Sequence, residues 1–215
     1  MFKQKKIQFI ICFLIIFVSI IFSSKSYLAV NFNQLESNNN WNTITSNSVS
    51  MSLPKKYIGG DPAQDLDELI IRLEQINHGL ANRLQPIRQQ DLKSINFLAF
   101  NTDIDNSNLI DNVNIVSQKN RDGLSLDEYF QQQYKTGIFP DSHIDKQETI
   151  NLKNNQIAKK IITNFSVEQT TIKQLFYVFE KADNFWTVTY TTSLDKFEQL
   201  LPMFEESLMS LNILN

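Results

Sequence analysis

Asp141-Ser142-His143-Ile144-Asp145 is the stretch whose residue types come nearest to chemistry. On an extended strand, residues two apart share a face, so Asp141, His143 and Asp145 would present two carboxylates and an imidazole together. Oxygen donors with one imidazole suit a divalent ion such as calcium. The competing reading is a solvated strand start after Pro140. Asp103, Asp105 and Asp111 lie in a polar loop at 102–112 and invite the same ion. That loop lacks the glycine and the closing glutamate of an EF-hand, so a solvated loop is expected there. His78 falls at the end of a long helical pattern, where an imidazole meets the last carbonyls.

Covalent catalysis finds no foothold. There is no G-x-S-x-G elbow, no H-E-x-x-H and no G-x-x-x-x-G-K phosphate loop. The only cysteine, Cys12, sits inside an N-terminal apolar run, so residues 31–215 offer neither a thiolate nor a disulfide. Asp67-Glu68, Asp127-Glu128 and Glu205-Glu206 read as solvated helix faces. Trp186 and Tyr190, at strand spacing around Val188, read as core. These absences predict a protein that is not an enzyme and has no resident cofactor.

The elements that would position these residues follow from periodicity. Val49, Met51 and Leu53 alternate with serines, a half-buried strand ended by Pro54. Gly59-Gly60 predicts a turn, Asp61 a helix cap and Pro62 a first helical position. Leu66, Leu69, Ile70, Leu73 and Ile76 then share one helical face, and a weaker helical piece spans about 80–93. Ile95–Phe100 and Val113–Ser117 read as strands. Ser125 and Glu128 form a capping box that opens a middle helix. Four strands follow, at about 143–152, 156–165, 171–180 and 185–192, with turns at 153–155 and 181–184. A last helix carries Phe197, Leu200, Leu201, Phe204, Leu208 and Leu211, and Pro202 is expected to kink or split it.

Consecutive strands on short turns give an antiparallel sheet and an α+β fold. The strands 172–179 and 185–190 are apolar on both faces and should be central and covered on both sides. Together these predict an α-β-α sandwich around an antiparallel sheet of about six strands.

The N-terminus reads as an address. Lys3, Lys5 and Lys6 precede the apolar run Ile7–Phe22, which places the N-terminus in the cytoplasm and the rest of the chain outside it. The run is read as a signal anchor or as a signal peptide cleaved before Tyr27, with the anchor favoured. Residues 1–30 form this hydrophobic helix, 31–43 an Asn-rich linker that includes Trp41, and 44–215 the domain. The expected location is extracytoplasmic, membrane-anchored or secreted, and the N-terminal helix makes the membrane its first partner.

Charge excludes one class of partner. The 215 residues hold 20 Lys and Arg against 23 Asp and Glu. Four of the lysines lie in residues 1–30, which have no acid, so residues 31–215 carry 16 basic against 23 acidic side chains, a net of −7. Such a domain does not bind nucleic acid, which requires a basic surface.

The order of motifs resembles the PsbP-like family. Met51-Ser-Leu-Pro54 with Tyr57-Ile-Gly-Gly60-Asp61-Pro62 resembles its first strand and loop, and Asn112-Val-Asn-Ile-Val116 its "NVNVV" strand. Gly123-Leu-Ser-Leu-Asp-Glu-Tyr129, Phe185-Trp-Thr-Val-Thr-Tyr190 and Phe197–Leu208 resemble its middle helix, penultimate strand and closing helix. The resemblance covers about residues 44–213 and implies the PsbP/Mog-type α-β-α sandwich. It implies an accessory or assembly module for a membrane protein complex, or, in a photosynthetic source, an extrinsic photosystem II subunit. A small-ligand or metal-binding carrier is the alternative use of the same fold.

Overall fold

The structure, a computed structural model, describes residues 40–76, 87, 92–103, 109–135, 143–167 and 170–214. Residues 1–30, where a hydrophobic helix is expected, residues 31–39 of the expected linker, His78, Asp105 and Asp141 lie outside the described residues. Three short strands open the fold: β1 (Trp41–Thr45), β2 (Val49–Pro54) and β3 (Tyr57–Gly60). They are followed by α1 (Pro62–Ile76), β4 (Ile95–Asn101), β5 (Asn112–Lys119) and α2 (Leu126–Lys135). The second half runs β6 (His143–Asn151), β7 (Ile157–Val167), β8 (Thr170–Lys181), β9 (Asn184–Ser193), α3 (Leu194–Met209) and β10 (Asn212–Ile213).

Two sheets form. A seven-stranded sheet has the order β3-β4-β5-β9-β8-β7-β6, and a three-stranded sheet the order β1-β2-β10. Every pairing is antiparallel. The fold is therefore α+β, as periodicity predicts, with one strand more in the main sheet. β9 is its middle strand and β8 lies beside it, which explains why both are apolar on two faces.

Alternation sends the side chains of β8 and β9 to two separate cores. Leu175, Tyr177, Phe179, Trp186, Val188 and Tyr190 join the core beneath α3 and the small sheet. Phe176, Val178 and Phe185 join the core beneath α2, where Tyr129 stacks on Phe185 at 4.0 Å. At the other end of that second face, α1 packs Leu66, Leu69, Ile70 and Leu73 on Leu98 and Phe100 of β4. One face is thus covered by two helices and the other by one helix plus a sheet.

Several expectations change. Trp41–Thr43, read as linker, are strand: Trp41 pairs with Pro54 at the edge of the small sheet. β2 lies in that small sheet, tied to the end of α3 by the Ser52 N–H, which donates to Ser210 Oγ at 2.8 Å. Gly59-Gly60 is not a turn but the end of β3, opposite Ala99 and Leu98. A Cβ on Gly59 would fall 2.2 Å from the Leu98 carbonyl oxygen, so glycine here serves a close approach of backbones. Pro202 does not split α3, which runs unbroken from Leu194 to Met209. Pro202 and Glu198, whose carbonyl loses its donor, both lie on the exposed side, while Phe197, Phe204 and Leu208 hold the buried side down.

Local signals that rest on one hydrogen bond are kept. The Ala63 N–H donates to Asp61 Oδ1 at 2.9 Å, capping α1 ahead of its proline. At α2, the Ser125 N–H donates to Glu128 Oε2 at 2.8 Å and the Glu128 N–H to Ser125 Oγ at 3.3 Å. The Ser125 backbone N–H and hydroxyl hold the Glu128 carboxyl below its usual range. Ala182 and Asp183 both have positive φ, 52° and 54°, the backbone of a type I′ turn between β8 and β9.

Candidate functional site

His143 opens β6, the outer edge strand of the seven-stranded sheet, and its side chain is exposed. The pairing of β6 with β7 shifts between Ile144 and Lys146, so Asp145 occupies an irregularity and strict alternation fails there. Asp145 still lies near His143, with Oδ1 3.9 Å from Nε2. Its oxygens have protein partners. Asn164 Nδ2 donates to Oδ1 at 2.5 Å, and Lys173 Nζ lies 3.3 Å from Oδ2. Lys173 in turn lies over the Phe197 ring at 4.8 Å. An ammonium already balances the Asp145 charge. Among the described residues, no group of three His, Cys, Asp or Glu side chains is arranged to hold a metal.

Asp111 is not the solvated loop residue that its polar neighbourhood suggests. It is 4% exposed and sits beneath the start of α3. Thr192 Oγ1 donates to Oδ1 at 2.7 Å, Asn101 Nδ2 to Oδ2 at 3.2 Å, and Lys196 Nζ to Oδ2 at 3.4 Å. This carboxylate joins β4, β5, β9 and α3 at one point. Tyr57 is buried beside it, and desolvation, followed by the Asp111 and Tyr190 charges, pushes its hydroxyl well above the ordinary tyrosine value.

The opposite face of the sheet holds a second polar group between two apolar cores. Asn112 of β5 faces Thr191 of β9, Thr191 faces Gln174 of β8, and Gln174 faces Thr163 of β7. One step along the strands, Asn114 faces Thr189, which faces Phe176. Asn112, Asn114, Thr163, Gln174, Thr189 and Thr191 are all buried. Gln174 Nε2 donates to Thr191 Oγ1 at 3.4 Å and Asn112 Nδ2 to the Ile110 carbonyl at 3.0 Å. Asn112 Oδ1, Thr163 Oγ1 and Thr189 Oγ1 have no partner.

Nothing in the sequence singles this strip out as a site. Its residues fall at alternate positions among apolar ones, the pattern of a solvent-facing side. Its one distinguishing mark is that the polar positions of β5 and β9 hold amides and hydroxyls throughout Asn112–Asn114 and Thr187–Thr191, with no charge.

An open cleft of about 690 Å3 lies at the far end of the same face, between the start of α2 and the turns after β6 and β8. Lys159 closes its floor, with Nζ 2.5 Å from Asp127 Oδ1 and 2.9 Å from Thr149 Oγ1. Glu180, Lys181 and Asp183 complete its charged lining, which holds three acidic and two basic side chains. Asp183 has a further cation beside it, with Lys119 Nζ 3.5 Å from Oδ2.

No protein-family model and no curated protein sequence matches the chain. Solved structures do. The chain is similar to the solution structure of cyanobacterial PsbP from Synechocystis, with 10% identity over 90% of this chain and 99% of that one, at a TM-score of 0.49. It is also similar to LpqN, described as involved in cell envelope biogenesis of Mycobacterium tuberculosis, with 10% identity over 55% and 72% of the two chains and a TM-score of 0.40. A third is a Pseudomonas aeruginosa protein of unknown function, described as a putative regulator, with 14% identity over 47% and 71% and a TM-score of 0.43. Each is a likeness of chain path, and function has to be argued from side chains.

Proposed function

We propose that the chain is an extracytoplasmic domain tethered to a membrane by its N-terminal helix, acting without chemistry of its own as an accessory or assembly module for a membrane protein complex. The observation that carries this reading is the distance between tether and fold. The apolar run ends at Phe22 and the first strand begins at Trp41. The intervening residues 23–40 span at most about 60 Å when fully extended. A domain so held meets partners at the membrane surface and little else. Its net charge of −7 favours a partner with basic extracytoplasmic loops and disfavours direct adhesion to anionic lipid.

The test is crosslinking in native membranes, followed by pull-down and mass spectrometry. Expected are crosslinks from the acidic surface of the domain to one membrane complex, with co-purification that falls as salt rises. Recovery of the chain alone at low salt, with no reproducible crosslink to a membrane protein, refutes the reading.

A further inference from the structure

Charge is spread unevenly over the domain. Residues 37–60 hold two charged side chains, Lys55 and Lys56, and no acid. Residues 61–215 hold 14 basic against 22 acidic side chains, a net of −8. β1 and β2 carry no charge, and neither does β10, their neighbour in the small sheet. The two lysines are therefore a cationic corner on an otherwise acidic body.

The chain enters the domain at the same corner. Asn40, the last residue before β1, accepts the Lys55 N–H on its carbonyl at 2.7 Å, and Trp41 pairs with Pro54, next to that lysine. β2 ends at Pro54 and β3 begins at Tyr57, so Lys55 and Lys56 are the whole turn between them, and both are exposed. Asp103 Oδ2 lies 4.0 Å from Lys56 Nζ, with both side chains more than two-fifths exposed, a pair of little strength. No ion pair joins Lys55 among the described residues. Trp41 is half-buried at the edge of the small sheet. An indole so placed favours the boundary between water and lipid.

Length decides what this corner meets. As a flexible coil, residues 23–40 span about 25 Å, whereas a domain of this size is about 40 Å across. The corner that bears the tether is thus the part held nearest the membrane. On an anionic bilayer the lysine turn is attracted and the acidic body repelled, so both effects favour one orientation. Each lysine close to such a surface shifts the balance about fivefold, and the attraction fades within a Debye length. Two lysines would not hold a free protein there, but the tether keeps the local concentration high. We propose that Trp41, Lys55 and Lys56 form a membrane-contact footprint, with the two ammonium groups on anionic lipid phosphates and the indole at the headgroup boundary. The footprint rests on the membrane tether proposed above. It adds which corner of the domain touches lipid, and it leaves the acidic remainder to a protein partner.

The experiment uses the full chain in nanodiscs of phosphatidylcholine, either alone or with about one-third phosphatidylglycerol. Phosphatidylcholine brominated close to the headgroup quenches any indole that touches the lipid. The difference between the parent and Trp41→Phe isolates Trp41 from Trp186, which is buried. The expected result is quenching of Trp41 in the anionic discs and at least fivefold less in the neutral ones. Lys55→Glu/Lys56→Glu should lose the quenching to a similar extent while keeping the parent's Tm. Salt at about 0.5 M should do the same to the parent itself, where no substitution disturbs the fold. A chain that elutes with the discs without quenching of Trp41 overturns the footprint and leaves the tether standing. So does quenching that is equal in both lipids or indifferent to charge reversal and salt. A chain that elutes apart from the discs overturns both.

Discussion

Replacing Ser207 with alanine should loosen α3 from the sheet far more than the loss of one oxygen suggests. Ser207 Oγ lies 2.7 Å from the Tyr190 hydroxyl and donates its own proton to the Phe204 carbonyl at 2.9 Å, so Tyr190 is the donor in the first bond. Both residues are completely buried. In Ser207→Ala the tyrosine keeps only a weak contact to Met51 Sδ at 3.9 Å. An unpaired buried hydroxyl costs about 1–3 kcal/mol, and for a domain of this size about 2 kcal/mol lowers Tm by roughly 4–8 °C. Tyr190→Phe removes the donor and leaves Ser207 its bond to Phe204, so it should cost less, about 0.5–1.5 kcal/mol. The double variant restores an apolar pair and should fall short of the sum of the two single effects. Urea unfolding of all four forms, followed by circular dichroism, measures the cycle. A neutral Ser207→Ala, or strict additivity, would show that this buried pair does not hold α3 in place.

The other expectations follow from single sites. Asp111→Ala removes the acceptor shared by Thr192, Asn101 and Lys196 and should cost about 3 kcal/mol in urea unfolding; an effect under about 0.5 kcal/mol would return Asp111 to the status of a loop residue. Gly59→Ala drives a Cβ into the β4 backbone and should cost on the order of 3 kcal/mol, lowering hydrogen-exchange protection in β3 first; unchanged protection there would contradict the close approach. Burial raises the Tyr129 hydroxyl from 10.0 to about 12, and raises Tyr57, Tyr177 and Tyr190 as well. A raised folded-state value means stability that is intact below pH 10 and is lost as the pH climbs through about 12, about 3 kcal/mol from Tyr129 alone. Tyrosinate absorbance should therefore rise in the same cooperative step as unfolding, and independent titration of all tyrosines near pH 10 would refute their burial.

Much of this fold was legible because its signals are local. The alternation in 172–179 sets Tyr177 on the face opposite Phe176, and that in 185–190 sets Tyr190 opposite Phe185, as the structure has them; which faces of the two strands share a core comes only from their register. The Ser125–Glu128 box and the Asp61 cap each rest on contacts within four residues. What stayed hidden depends on partners distant in the chain. Gly59-Gly60 has the composition of a turn, and only the approach of Leu98 and Ala99 makes it a strand. Asp111 looks solvated until Lys196, from another element, lies over it. His143 and Asp145 do come together, but Asn164 and Lys173 arrive with them, and no local spacing announces either. The buried strip escaped for the opposite reason: alternating polar residues imitate a wet face, and burial by other segments is not a property of the strand that bears them.

The most direct test of the membrane-tethered reading is carbonate extraction of native membranes, with peptide mass spectrometry of the retained chain. The account predicts a chain that stays with the membrane, yields peptides from Met1–Lys25, and loses the domain beyond Trp41 to protease added from the extracytoplasmic side. A chain recovered in the soluble fraction with its N-terminus near Tyr27, or a domain shielded on the cytoplasmic side, would contradict it.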